Sequence, residues 1–406
     1  MRPLATSEQI SPGSRVLAPA NARAADLYPP ALPLLLVALG LLARFQLARS
    51  LFLNPDEALI YFLSTQSSLA ATYRASLISA HPPLYYFLLH GWRWLGNSEL
   101  MLRLPSVLAG AGFCWLGFKW LGRIADQTAA LVGLIFFCFT PALVALGAEL
   151  RQYSLLLFFF AACLYLLETA IQENSAACIL LFSLSLWLAI LTQYSAWIFC
   201  LVVGIYALLR FARKKRATRL LATWAGGQAI GLAIYGFLYQ TQVPWLLKMA
   251  KVDKVFQGEQ SRLASIPRET FRLFHYLFSQ PVVGAVALLL FLVGVIGVWV
   301  EPPATGDAGP SGRQLACLLF LPLLVSWIAA LAHLYPYDGT RHSIVLAVFV
   351  IAAVSLGLTW FGNPVSWKKP VLTAGLLVLC YLLPAPLGPY MKPRNQNRRL
   401  LAETAH

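Results

Sequence analysis

Asp56 and Glu57 are adjacent carboxylates that follow Asn54-Pro55 directly after the first long apolar segment of the chain. A carboxylate beside a lipid-accessible cavity can take the proton of an attacking hydroxyl or hold a divalent cation. The same pair also suits a helix start: Asn54 can cap it, Pro55 can open it, and acids in a first turn match the helix dipole. His81 stands about a helix length later, in His81-Pro82-Pro83, a stiff, extended break before an aromatic stretch. It reads either as an incidental turn residue or as a hydrogen-bond donor to a phosphate.

Cations and aromatics recur at other breaks between apolar segments. "GAELRQYSLL" carries Glu149, Arg151 and Tyr153. An arginine at a helix start is not what the dipole favours, which raises the case for an anionic partner. "YPYDGTRHSIVL" carries Tyr335, Tyr337, Asp338, Arg341 and His342, an anchoring aromatic belt or a functional cluster. Arg44 lies inside the first apolar segment; facing lipid it would be expensive, so it snorkels or meets an internal anion. Arg103, two residues before Pro105, reads as a snorkelling arginine at a span start. Together the set suits a lipid phosphate: cations grip the phosphate and apolar grooves hold the tail.

Such residues need elements to hold them, and composition says which. Of 406 residues, 59% are hydrophobic and 12% charged, about half the charged share of a soluble domain. Uncharged runs of about 20 residues recur, enough to cross a hydrocarbon core as helices. The expected class is an all-α polytopic membrane protein of about eleven transmembrane helices, with a range of about ten to thirteen. The net charge of +15 suits cytoplasmic loops and anionic headgroups rather than nucleic acid, for which no signature is present. The seven cysteines lie in apolar segments without CxxC spacing, so neither a disulfide framework nor a cysteine metal site follows.

The expected spans are 29–48, 104–121, 128–147, 152–170, two within the charge-free run 174–209, then 220–240, 281–300, 315–333, 343–361 and 371–388. The corner of the charge-free run is placed at Thr192-Gln193-Tyr194-Ser195. The basic run at 210–219 marks the cytoplasmic side. By parity, loops 50–103, 148–151, 241–280 and 334–342 lie outside, and the C-terminal cations conflict with that count. Loop 50–103 is too long for a connector and predicts interfacial helices; 241–280 reads as an amphipathic cover, and 302–312 as a flexible cytoplasmic loop. Residues 1–26 read as a disordered cytoplasmic tail, 27–388 as one transmembrane domain, and 389–406 as a polar tail.

The order of "NPDEALIYFL", "SAHPPLYYFLLHGW", "SELMLRLPSVLAG", "GAELRQYSLLLFF" and "DGTRHSIVL" resembles that of GT-C superfamily membrane glycosyltransferases. It is most similar to the family 39-like group, with its protein O-mannosyltransferases and lipid A aminoarabinose transferases. The resemblance runs over about residues 30 to 361 and is most specific in the first 120. It implies transfer of a sugar from a polyprenyl-phosphate donor to an acceptor hydroxyl, with inversion, on the outer side of a plasma membrane such as the bacterial inner membrane. It implies Asp56 as base, with Glu57 orienting it or the acceptor. It implies His81, Arg151, Arg341 and His342 toward the donor phosphate, with Tyr153 matching the Arg-x-Tyr beside them; Tyr153, Tyr337 and Arg44 are the residues expected toward substrate. The acceptor, whether lipid, glycan or protein, is left open. No cofactor follows, although Asp56 and Glu57 are compatible with a divalent cation. Larger relatives carry a soluble C-terminal domain that the short stretch after 388 does not supply. A transporter or flippase of lipid-linked sugars is the competing reading, but it calls for ionisable groups at mid-membrane and a repeated architecture, which the sequence does not display.

Overall fold

The computed structural model describes residues 28–79, 81–214, 217–244, 263–303, 308–360 and 367–382. The expected tails 1–26 and 389–406, and the stretch 245–262 of the expected cover, lie outside the described residues. Among the described residues there are α-helices and short 3-10 turns and no strand. The chain opens with α1 (Ala31–Ser50), followed by three short helices, α2 (Pro55–Ser64), α3 (Leu69–Ser76) and α4 (Leu84–Trp92). Then come α5 (Glu99–Ile124), α6 (Gln127–Phe139), α7 (Pro141–Gly147), α8 (Tyr153–Glu173), α9 (Ala176–Thr192), α10 (Ala196–Arg213) and α11 (Thr218–Thr241). The last part holds α12 (Ile266–Phe278), α13 (Pro281–Val300), α14 (Gly312–Leu331), α15 (Ala347–Trp360) and α16 (Lys368–Leu382), with a 3-10 turn at Arg341–Leu346 leading into α15.

Eight of these helices are long and apolar enough to cross a membrane, taking the 3-10 turn and α15 together as one span (Arg341–Trp360), and nine if the bent pair α6–α7 counts as one span. The protein is therefore an integral membrane protein of all-α architecture. Each expected apolar segment contains a helix, but length and composition mark eight or nine spans rather than eleven, because α9 is one residue short of that length and α16 is shorter still. The corner in the charge-free run falls where polar residues interrupt it: α9 ends at Thr192 and Gln193 is extended. The three short helices α2, α3 and α4 fill the long loop after α1. Tyr85 and Tyr86 are buried in that layer rather than exposed, whereas Trp94 is open to the surroundings.

Segment 128–147 is not one straight span. Pro141 has no N–H to give to Phe137, and the chain bends by 54° between α6 and α7. The freed carbonyls of Phe137 and Cys138 accept from Arg44 Nη2 and Nη1, each at 2.9 Å. In α5 the equivalent defect is Pro105, whose missing N–H frees the carbonyl of Met101; Trp92 Nε1 donates to it at 2.8 Å. A bilayer offers no water to such carbonyls, so internal donors must satisfy them.

The main core is formed by α5–α16, with buried aromatics such as Trp120, Phe136, Phe137, Phe160 and Phe199. Aliphatic side chains of α1 and α13, including Leu34, Leu39, Leu289 and Ile296, point outward as lipid-facing surface does. Between helices in lipid, packing replaces the hydrophobic drive and favours small residues. Gly294 and Gly357 let α13 and α15 touch backbone to backbone: a Cβ on either would meet the carbonyl oxygen of Ala353 or Leu290 at 2.0 Å.

α8 runs from one end of the bundle to the other. At its C-terminal end Glu168 pairs with Arg210 at 2.9 Å, and Arg210 also donates to the carbonyls of Ala308 and Gly309. Those bonds anchor part of the stretch read as a flexible loop. At its N-terminal end lie Tyr153 and Arg151, where the chemistry-bearing residues gather.

Candidate active site

α2 begins as its sequence requires. Asn54 Oδ1 accepts from the backbone N–H of Glu57 and the Glu57 carboxylate accepts from that of Asn54, both at 2.9 Å, with Pro55 in the first turn. The neighbouring acids then part. Glu57 is fully buried. Arg103 donates to its two oxygens from Nε and Nη2, at 3.0 Å each, and the Leu150 N–H donates at 2.7 Å. Arg103 also donates to the carbonyls of Ala48 and Leu51 at the end of α1. Glu57 thus ties α1, α2, α5 and the 149–151 segment together, and Arg103 is its buried counter-ion rather than a snorkelling arginine.

Asp56 faces the other way and remains half exposed. Its Oδ2 lies 2.9 Å from Arg151 Nη1 and 2.7 Å from Arg341 Nη1. Burial pushes its carboxyl pKa up, but Arg151 and Arg341 beside it outweigh that and hold it below the usual carboxylate value. Arg151 is almost fully buried and its guanidinium lies over the Tyr153 ring, 5.5 Å from the centroid. Its backbone is fixed as well: Ser106 Oγ donates to the Arg151 carbonyl at 2.9 Å, and Tyr85 Oη sits 2.8 Å from Ser106 Oγ.

The loop carrying Arg341 is held by its own polar side chains. Thr340 bonds Asp338 and accepts from the His342 N–H, and Ser343 accepts from the Asp338 N–H. Gly339 allows it to press on α12, where a Cβ would come within 2.4 Å of the Arg272 carbonyl oxygen. Tyr337 faces α12 instead of Asp56. It is buried, donates to Thr270 Oγ1 at 2.9 Å and packs edge-on against Trp327. Tyr337, expected toward substrate, is thus placed against α12 and Trp327 rather than beside Asp56. Arg44, also expected toward substrate, points its guanidinium at the carbonyls of the α6–α7 break, because a proline break inside a membrane leaves acceptors that need an internal donor; the Cys114 thiol gives the Phe137 carbonyl a second, weaker one at 3.2 Å.

Around the Asp56 cluster, several shielded polar atoms have no hydrogen-bond partner among the described residues: His81 Nδ1, Arg151 Nε, Tyr153 Oη and Ser195 Oγ. His81 has Arg151, Gln193, His342 and Arg341 as electrostatic neighbours. Burial, and then the nearby Arg151 charge, push its pKa down to about 3, so it is neutral at physiological pH. Gln152 Nε2 donates to Gln193 Oε1 at 2.9 Å, and Tyr335 Oη donates to the His342 carbonyl at 3.2 Å. Buried polar atoms are rarely left unpaired in a finished site, so the cluster is shaped for a polar ligand rich in hydrogen-bond acceptors and donors. Tyr335, of the late aromatic cluster, joins it, as do Gln152, Gln193 and Ser195, which the sequence did not mark as functional. The signal was the polar corner at 192–195, which serves equally well as a plain helix break.

The two carboxylates do not share a cation site. Glu57 is saturated by Arg103 and Asp56 by two guanidiniums, a donor set that repels a metal ion. Among the described residues no group of three His, Cys, Asp or Glu side chains gathers as metal ligands.

Residues 80–239 match the family model described as dolichyl-phosphate-mannose-protein mannosyltransferase. No curated protein sequence matches the chain. Among solved structures, ArnT from Cupriavidus metallidurans in the apo state aligns with a TM-score of 0.53 and 15% identity, over 87% of this chain and 64% of that one. ArnT bound to undecaprenyl phosphate aligns with a TM-score of 0.52, at the same identity and coverage. The oligosaccharyltransferase AglB from Archaeoglobus fulgidus, in complex with an inhibitory peptide and a dolichol-phosphate, aligns with a TM-score of 0.50 and 9% identity, over 88% of this chain and 55% of that one. The chain thus spans less than two thirds of the length of these solved relatives. It shares the fold of these solved structures and, through residues 80–239, resembles the dolichyl-phosphate-mannose-protein mannosyltransferases.

Proposed function

We propose that the protein is a glycosyltransferase that moves a sugar from a polyprenyl-phosphate donor to an acceptor hydroxyl. The observation that carries the reading is the Asp56 carboxylate held between Arg151 and Arg341, amid unfilled polar groups. A phosphate leaving group needs fixed cations, and an attacking hydroxyl needs a base; this cluster supplies both. The family match and the lipid phosphates bound by ArnT and AglB support the same class of donor.

In the proposed reaction Asp56 takes the acceptor hydroxyl proton as that oxygen bonds to the anomeric carbon. The bond from that carbon to the phosphate oxygen breaks, and the lipid phosphate leaves with the electron pair. Arg151 and Arg341 stabilise the charge it gains, and neutral His81 and the Tyr153 hydroxyl complete its hydrogen bonds, with His342 beside them. One base and one in-line displacement invert the anomeric centre, and no second carboxylate is required as nucleophile. Glu57 acts at one remove, by fixing α2 and so the direction of Asp56. The basic residues at the far end of the bundle, Arg123, Arg210, Arg213 and Lys214, favour a cytoplasmic position for that end. The site then opens on the outer side of the membrane, a plasma membrane such as the bacterial inner membrane.

The test is incubation of purified protein with a panel of radiolabelled polyprenyl-phosphate sugars and acceptor extracts. Release of free lipid phosphate with label appearing in an acceptor is the expected result. Donor that stays intact, yet crosses the bilayer of reconstituted vesicles, would replace transfer with transport.

A further inference from the structure

The Asp56 carboxylate stands where the proposed reaction would put a phosphate. One of its oxygens, Oδ2, receives an N–H from each of two arginines that the chain brings from different elements. That arrangement leaves the site under-filled. Arg151 Nε and Tyr153 Oη, both shielded from solvent, make no hydrogen bond of ordinary geometry among the described residues, with only each other's side chains for polar company. A single carboxylate oxygen cannot reach them all, whereas a phosphate group presents several oxygens and forms two-pronged bonds with guanidinium. Asp56 is also badly placed to act as a base in this state. A carboxylate engaged by two guanidiniums holds its electron pair firmly and takes up protons reluctantly.

We infer that Asp56 is an internal stand-in for the donor phosphate: when the lipid phosphate docks, it takes Arg151 and Arg341 from Asp56 and thereby frees the carboxylate to act as base. The inference rests on the glycosyl-transfer reading and adds an order to it. The donor binds first, and only then can the acceptor hydroxyl lose its proton. No covalent change is involved in the exchange; two ion pairs are traded for bonds to phosphate, and Asp56 turns to the acceptor side. The half-exposed state of Asp56 and of Arg341 gives both room to move, while buried Arg151, stacked on Tyr153, stays in place.

The exchange has a consequence opposite to that of an ordinary binding residue. Removing the Asp56 charge removes a competitor, so lipid phosphate binds more tightly. The experiment titrates undecaprenyl phosphate into detergent-purified wild-type protein, Asp56→Asn and Asp56→Glu, following binding directly and through the thermal midpoint. Asp56→Asn is expected to bind about tenfold more tightly than wild type, with a larger ligand-induced rise in midpoint, and Asp56→Glu to bind like wild type. Equal or weaker binding by folded Asp56→Asn, with wild type binding normally, overturns the exchange and leaves the transferase reading standing. If wild type binds no polyprenyl phosphate at all, that reading fails and takes the exchange with it. If Asp56→Asn folds only with the lipid present, its dissociation rate on dilution decides: slower release than wild type is expected, and faster release overturns the inference.

Discussion

Arg341 Nη1 lies 2.7 Å from Asp56 Oδ2, although 285 positions of chain separate the two residues. The contact closes the bundle at one end: α2 enters from the first loop and Arg341 from the turn before α15. Arg151 reaches the same oxygen from the break between α7 and α8. Three separate segments therefore converge on one carboxylate.

Asp56→Asn is expected to abolish sugar transfer, with turnover falling by about 100-fold or more, while the protein stays folded and membrane-inserted. Removal of a general base has an effect of this size. Turnover of the purified variant at the wild-type rate would refute the base assignment.

Arg341→Ala is expected to weaken donor binding by about tenfold with little change in expression, because a half-exposed guanidinium contributes a charge-assisted bond that solvent partly screens. Titration with a labelled polyprenyl-phosphate sugar measures this, and unchanged affinity would remove Arg341 from the phosphate site.

Glu57→Gln alone is expected to destabilise the protein by about 3–5 kcal/mol, because it leaves the buried Arg103 charge with only the half-exposed Glu99 carboxylate at 3.7 Å. Arg103→Met combined with Glu57→Gln should recover part of the loss. Thermal unfolding of the single and double variants in detergent provides the comparison, and a single variant as stable as wild type would contradict the tie described for this pair.

Arg44→Leu is expected to cost about 3 kcal/mol, since it leaves the Cys138 carbonyl without its donor and the Phe137 carbonyl with only the weak Cys114 thiol in a water-free region. Donor affinity should be unchanged in whatever fraction remains folded. A loss of affinity with no loss of stability would return Arg44 to the substrate-binding set.

His81 carries a pH dependence of stability. In the unfolded chain its pKa is about 6.5, whereas in the fold burial and Arg151 lower it to about 3. Between those values the unfolded state binds a proton that the folded state does not, so stability rises with pH over that window and is lost as pH falls from about 6.5 toward 3. His81→Asn should flatten this part of the midpoint-against-pH curve; an unaltered slope would show that His81 is not held neutral.

The sequence by itself determined the class of the protein. Apolar runs of membrane length in a chain with so few charges leave all-α membrane architecture as the workable solution, because hydrocarbon forbids unpaired backbone. It also determined local starts such as the Asn54-Pro55 cap, since capping depends only on residues three or four apart. Asp56, Arg151 and Arg341 stood out as residue types at breaks between apolar segments. What each would meet was a matter for the tertiary structure. Glu57 and Asp56 are neighbours in sequence, yet a helix turns successive side chains about 100° apart, so one met Arg103 in the interior and the other met two arginines at an opening. Arg44 and Tyr337 looked like substrate residues because charge and aromatic type are visible in a sequence. Their partners, a proline-broken carbonyl pair and a threonine on α12, are distant in the chain and become neighbours only when the helices pack.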